Sequence, residues 1–340
     1  MPDGVAPKGL RVAISGLGWI AINRHLPCFR KAGAEVVAAY HPANPRETFG
    51  LPIAEKFEDL FEFKPDIIAV CSPPSAHAEQ AIKAIEHGCH VLVEKPMAIS
   101  LKEARSMAEA AQRHKRTLCV AHSHLFDRAM IKALNQVNSG EIGELTSVQA
   151  LFYRGHLRPG KPWLFELPGG LAFDELPHPV YLMERFLGRV QVASLNIEAV
   201  PSRETPRQVH VTLKGERGTG HIAMIMDSPV SEWHLVISGT RKMLDVDLFR
   251  DVLVALPSDG AHTPSKVLKT SWAGLSGHTF GVLSSGIKYV LGRLYYGHDI
   301  LIERLLASIQ SGSPPPVSLE EALRTQELVE KILSPLKREN

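Results

Sequence analysis

Three short stretches carry residues whose types and spacing could do chemistry. The run "VLVEKPMAIS" (91–100) begins as a buried strand and ends on the polar pair Glu94-Lys95, followed by Pro96. A lysine at a strand end can hydrogen-bond a hydroxyl oxygen and stabilise alkoxide character, while proline fixes the backbone beside it. The run "GGLAFDELPHPVYLMERFLG" (169–188) sets His178 four residues after Asp174 and between Pro177 and Pro179. Proline is tolerated in a first helical turn and costly later, so a helix is expected to begin there. Its positive N-terminus would favour a neutral imidazole able to take a proton, with Asp174 capping the helix or orienting the ring. Equally, the pair could be plain capping beside a satisfied core histidine, or a charged turn. Glu175 could make it part of a metal site, but no third ligand stands at zinc-like spacing, and no metal is expected.

The third stretch, "SGLGWIA", places Gly16, Gly18 and Ala21 as G-x-G-x-x-A between a strand and a helix. The first glycine permits a tight turn, the second lets backbone approach a pyrophosphate, and the alanine permits close helix packing. Trp19 and Ile20 complete the candidate phosphate turn. A dinucleotide fold commonly places an acid at the end of its second strand to meet the ribose, but here Tyr40 is followed by His41-Pro42 and no carboxylate comes before Glu47. His41 or Arg46 could meet a 2′-phosphate, or the loop could simply be solvated, so NAD and NADP both stay open.

These residues need elements to position them. Strand-like runs at 10–15, 35–40, 66–72, 90–95 and 117–122 alternate with amphipathic helical patterns at 75–88 and 100–115. Strands apolar on both faces and separated by helices predict a doubly wound parallel sheet. Ligands then sit outside the carboxyl ends of the strands, which puts Ser72, Pro73, His77, Glu94 and Lys95 beside the cofactor. After a helix near 127–139, runs at 145–154, 190–199, 207–214, 219–227, 232–238 and 242–249 predict a largely antiparallel open sheet. One helix at 178–187 interrupts it. The expected division is a cofactor domain at 1–125 and an α+β domain at 126–340, whose last helix, 318–334 capped by Ser318, packs back on the first. "YRGHLRPGKPW" (153–163) offers Tyr153, His156 and Trp163, with Arg154 and Lys161, as polar and aromatic contacts for a polyhydroxylated ligand. A mobile loop with incidental charge reads as well.

Bulk composition excludes several classes. A chain of 340 residues, 44% hydrophobic and 22% charged with a formal net charge of +2, is a folded globular protein without the basic footprint of a nucleic-acid binder. Cys28, Cys71, Cys89 and Cys119 form no C-x-x-C pair, which fits buried thiols in a reducing cytoplasm. No signal core or spanning run is evident and no membrane partner is expected; the most apolar segment, 275–297, is broken by His278, Lys288 and Arg293 and reads as a core or interface segment.

The stretch from "VAISGLG" through "SPPSAHAEQAIKAIEHGCHVLVEKP" to "NSGEIGEL", with "GGLAFDELPHP", resembles the glucose-fructose oxidoreductase, inositol dehydrogenase and MocA (Gfo/Idh/MocA) family over nearly the whole chain. That resemblance implies a Rossmann domain binding NAD or NADP and an α+β domain with an open sheet. It also implies Lys95, Asp174 and His178 as the catalytic set, with His122 near the substrate and His77 touching the cofactor. The implied activity is hydride transfer between nicotinamide and a hydroxyl-bearing carbon of a sugar, cyclitol or sugar derivative, in a homodimer or homotetramer. A redox-assisted lyase or glycosidase with tightly held cofactor, or a non-catalytic regulatory protein, are the alternatives. The chain departs from the family in a shortened segment between His41 and Gly50, expected to lose the helix after strand two. It also has Leu125 in "AHSHLF" where a basic residue is usual, and Tyr181 where a second aspartate is common.

Overall fold

A computed structural model describes residues 9–43, 47–155, 162–260, 263–292 and 294–336. His156, Lys161 and Arg46 lie outside the described residues. The chain divides into two compact units: one runs to Ser123 and resumes over Gly297–Glu330, the other holds His124–Tyr296 and the chain from Lys331 on.

The first unit is built on strands β1 (Arg11–Ser15), β2 (Glu35–Tyr40), β3 (Ile53–Ala54), β4 (Ile67–Val70), β5 (His90–Val93) and β6 (Leu118–Val120). They form one parallel sheet in the order β3-β2-β1-β4-β5-β6. The central strands are buried almost throughout because α1 (Leu26–Lys31), α2 (His77–Glu86) and α3 (Leu101–His114) supply crossovers. Ser100 caps α3 by accepting the Glu103 N–H at 3.2 Å, while Ile99 N–H donates to the Glu103 carboxylate at 3.1 Å, a reciprocal pair that fixes where this helix starts. As expected from the shortened segment, no helix is found between β2 and β3 among the described residues. Strand β3 itself was not expected: two residues are too short to leave a periodic signal.

The second unit opens on α4 (Arg128–Asn138) and β7 (Leu145–Tyr153), followed by α5 (Leu171–Glu175) and α6 (Pro177–Leu187). Strands β8 (Val190–Glu198), β9 (Gln208–Gly215), β10 (Gly218–Ile225), β11 (Glu232–Gly239), β12 (Lys242–Asp247) and β13 (Val252–Pro257) complete a seven-stranded sheet in the order β13-β12-β11-β7-β10-β9-β8. Every pairing is antiparallel except β10 with β7. Strand burial alternates, so one face is packed, in part by α6, and the other is open.

Strand β13 was missed because its pattern merges with a loop, and of the two readings of residues 275–297, core or interface segment, the core reading fails. Most of that stretch belongs to α7 (Pro264–Val290), in which Ser285 is the one buried residue among those described. After it, α8 (His298–Ser311), also unanticipated, and most of α9 (Leu319–Leu333) belong to the first unit. Ser318 Oγ accepts the Glu321 N–H at 3.2 Å at the start of α9, the cap the sequence predicted.

Candidate active site

In the first unit the predicted cofactor residues gather at the carboxyl ends of β1, β4 and β5. Gly16 follows β1 with φ +92, and a Cβ there would stand 2.6 Å from Ser72 N, so only glycine lets this turn close against the end of β4. Its N–H donates to Tyr40 O at 2.8 Å. A Cβ on Gly18 would meet nothing within 4 Å, so the backbone there faces open space, the cradle a pyrophosphate needs. Beyond it, Ala21–His25 forms one wide π turn before α1. Trp19 is exposed beneath the Arg24 guanidinium, whose carbon lies 4.9 Å from the ring centre, and Ile20 is half-buried. Ser72 and Ser15 hydroxyls both donate to Gln80 Oε1 at 2.8 Å, which ties the first and fourth strand ends together. Pro73 is exposed beside them.

His77 is committed within the chain. Its Nδ1 stands 2.9 Å from Pro96 O and its Nε2 2.9 Å from Ser72 O. Burial pushes its pKa down although both carbonyls oppose that, so a neutral ring donates to one of them and braces the two loops. His41, directly after β2, is half-buried with its Nδ1 lacking a partner. A cavity of about 270 Å³ opens at the ends of β2 and β3, lined in part by Tyr40, Glu55, Phe57 and Gln80. The register pairs Tyr40 with Ala54, so Glu55 brings to the end of β2 the carboxylate that the sequence seemed to lack.

The charged end of β5 also finds its explanation. Glu94 is 6% exposed; the His25 Nε2–H donates to its Oε1 at 2.6 Å, and His298 Nε2 stands 3.5 Å from the same oxygen. Its Oε2 accepts the Lys95 backbone N–H at 3.2 Å, and the peptide to Pro96 is cis. Burial works against the charge, but the hydrogen bonds from His25 and His298 outweigh it and hold the Glu94 carboxyl well below the usual carboxylate range. Burial lowers the His25 pKa despite Glu94, so this ring is a neutral donor with its Nδ1 left without a partner. The three ligand atoms lie within 4.8 Å of one another and could in principle hold a metal. However, a 2.6 Å approach is that of a hydrogen bond, whereas two ligands about 2.0–2.1 Å from one tetrahedral metal stand farther apart. Lys95 is half-buried and His122, after β6, is buried.

In the second unit Asp174 and Glu175 end α5 and His178 is the second residue of α6, all three nearly inaccessible. The two helices run almost without a break, since the intervening Leu176 is itself helical. His178 Nδ1 and the Tyr181 hydroxyl are 2.7 Å apart, and His178 Nε2 lies 3.8 Å from Glu175 Oε2. Arg154 Nε approaches the other Glu175 oxygen at 3.4 Å. The rings of His124 and Trp233 stand 4.9 Å and 5.2 Å from that of His178. Trp233 is buried with its Nε1–H lacking a partner. Tyr153 ends β7 and Trp163 sits on a short helical turn, both half-buried. An imidazole flanked by a phenol and a carboxylate can hold or pass on a proton.

Comparison with known proteins agrees with this architecture. The family model for the oxidoreductase family with an NAD-binding Rossmann fold (GFO_IDH_MocA) matches residues 10–122, and the GFO/IDH/MocA C-terminal domain matches residues 130–245. D-glucoside 3-dehydrogenase of Escherichia coli (strain K12) is 32% identical over 164 residues, 44% of this chain and 46% of that protein. The scyllo-inositol 2-dehydrogenase (NAD(+)) of Bacillus subtilis (strain 168) is 27% identical over 55% of this chain and 56% of its own length. Thus the alignment spans less than half of the first of these relatives and little more than half of the second. The WlbA dehydrogenase of Bordetella pertussis, solved with NADH and UDP-GlcNAcA, superposes with a TM-score of 0.77 at 18% identity, covering 98% of this chain and 97% of that one. KijD10, a 3-ketoreductase of Actinomadura kijaniata solved with NADP and TDP-benzene, gives 0.75 at 20% identity over 96% and 98%. With a parallel sheet carrying a glycine turn, a mainly antiparallel second sheet and both family models matched, the chain belongs to the Gfo/Idh/MocA oxidoreductase family.

Proposed function

We propose that this protein is an NAD(P)-dependent oxidoreductase acting on a hydroxyl or keto carbon of a sugar, cyclitol or sugar derivative. The observation that carries the reading is the placement of Lys95 directly after β5, on the same carboxyl edge of the parallel sheet as the open backbone at Gly18. Gly16, Gly18 and Ser72 fit a dinucleotide pyrophosphate, and Glu55 fits a ribose hydroxyl. When bound, the nicotinamide supplies a two-electron hydride acceptor or donor. Lys95 donates a hydrogen bond to the reacting oxygen and stabilises its developing charge. Glu94, held ionised by His25 and His298, fixes the backbone from which Lys95 projects. His178 takes the hydroxyl proton in oxidation and returns it in reduction, while Tyr181 and Glu175 hold its ring. Asp174, buried at the end of α5, completes the proposed set.

The relatives' range, from a glucoside and an inositol to nucleotide-linked sugars, supports a polyhydroxylated substrate rather than one named sugar. The test is a spectrophotometric panel of free sugars, inositols and nucleotide sugars with each nicotinamide cofactor. Stoichiometric change in reduced cofactor with at least one of these is expected. Cofactor that binds but exchanges hydride with none of them would reject the reading.

A further inference from the structure

Helix α7 reverses the usual polarity of a surface helix. Its small residues face the protein: Gly274, Gly277 and Gly281, spaced along one face, lie against Leu256, Val254 and Val252 of β13. A Cβ on Gly281 would collide with Val252, so the helix is seated as close as its backbone allows. Its large residues point outward. Leu268, Trp272, Leu275, Phe280, Leu283 and Val290 are each more than half exposed, and ten of the thirteen exposed large hydrophobics among the described residues fall within 267–291. At roughly 100 Å² apiece these ten amount to about 1,000 Å² of apolar surface, well beyond the few hundred that a soluble monomer ordinarily shows.

Charge indicates what covers this face. From residue 260 to 298 the sequence contains no Asp or Glu, whereas Lys266 and Arg293 flank the apolar stretch and Lys269 and Lys288 lie within its ends. A second copy meeting this face symmetrically would lay a cationic helix on its own image with no carboxylate in either helix to pair. An anionic lipid surface satisfies both features, since aromatic and aliphatic side chains sink into the acyl boundary while lysines meet headgroup phosphates. Contact with β13 at Gly274, Gly277 and Gly281 makes α7 a helix that lies on a bilayer rather than one that crosses it, and no helix among the described residues is long and apolar enough to cross.

We propose that α7 is an interfacial helix that docks this protein on the surface of an anionic lipid bilayer, departing from the sequence expectation of no membrane partner. The proposal stands apart from the oxidoreductase reading, because its readout needs no substrate. The full-length protein is floated through a density gradient with vesicles of phosphatidylcholine alone or of equal parts phosphatidylcholine and phosphatidylglycerol. The bound fraction is expected to be at least tenfold higher on the mixed vesicles and to fall as salt is raised. Replacing Trp272→Ser together with Leu283→Ser, or Lys266→Glu together with Lys269→Glu, should each lower it about tenfold, with the parent's circular dichroism melt as the folding control. The second pair leaves the apolar face intact should the first not fold. Protein that stays below the lipid with both vesicles, or two folded variants that float like the parent, would overturn the proposal. So would a lipid-free dimer that the Trp272 and Leu283 substitutions turn into a monomer, since a second copy would then be the occupant.

Discussion

At the scale of single residues, the structure makes Glu94 a buried anion held by imidazole donors. Glu94→Gln keeps the shape but turns one acceptor oxygen into a donor, which must face either the His25 N–H or the Lys95 N–H. Breaking a buried charge-assisted bond in this way costs about 2–4 kcal/mol, so the thermal midpoint should drop by several degrees at neutral pH. A midpoint equal to the parent's would show that Glu94 contributes no net stability. Trp233 is a different case. Its buried Nε1–H without a partner carries a desolvation cost that a ligand oxygen can offset, while its ring stacks on Phe152 at 4.5 Å. Trp233→Phe keeps an aromatic ring against Phe152 and removes the donor, so KM for the sugar should rise about tenfold with kcat little changed. An unaltered KM would remove Trp233 from the substrate contacts. Neither role was legible in the sequence, because His298 and Trp233 lie more than fifty residues from the groups they serve and no spacing rule links them.

At the scale of elements, legibility followed periodicity. The parallel strands and their crossover helices declare themselves by apolar runs and 3.6-residue patterns, and these matched within a few residues. Strand β3 is too short, β13 lacks alternation, and α7 presents apolar residues on several faces, so its sequence reads as core or interface and its exposed side chains exclude the core. The turn between β12 and β13 carries a titrating group. Asp251 sits at φ +52 with its Oδ1 accepting the Ala129 N–H at 2.8 Å, and burial, reinforced by nearby Asp127, pushes its pKa from 3.8 up to about 6. The unfolded chain loses this proton near the ordinary value while the folded chain keeps it to about 6. Stability therefore declines as pH rises through that window, and the whole cost is present above it. Asp251→Asn keeps the acceptor, tolerates the left-handed backbone and cannot ionise. Denaturant titration should find it more stable than the parent by about 1–2 kcal/mol near pH 8, the gap closing towards about pH 4. A gap that does not change with pH would contradict the assigned titration.

At the scale of the whole molecule, two units of different architecture each hold part of the proposed chemistry. The first contributes the dinucleotide turn and Lys95, the second the imidazole of His178 with Tyr181 and Glu175 around it. The proposed trio of Lys95, Asp174 and His178 comes from motif resemblance in the sequence, whereas the contacts of His25, His298 and Tyr181, and the place of Glu55 beside Tyr40, emerge from tertiary arrangement. Family membership and fold support a nicotinamide-dependent reaction, and the chemistry places the greatest demand on one ammonium group. The most direct test is pre-steady-state hydride transfer by Lys95→Ala at saturating cofactor, on the substrate found by the panel, with cofactor affinity measured alongside. The account predicts a loss of at least about a hundredfold in the transfer rate with cofactor affinity within about threefold of the parent. Transfer at the parent's rate would contradict it.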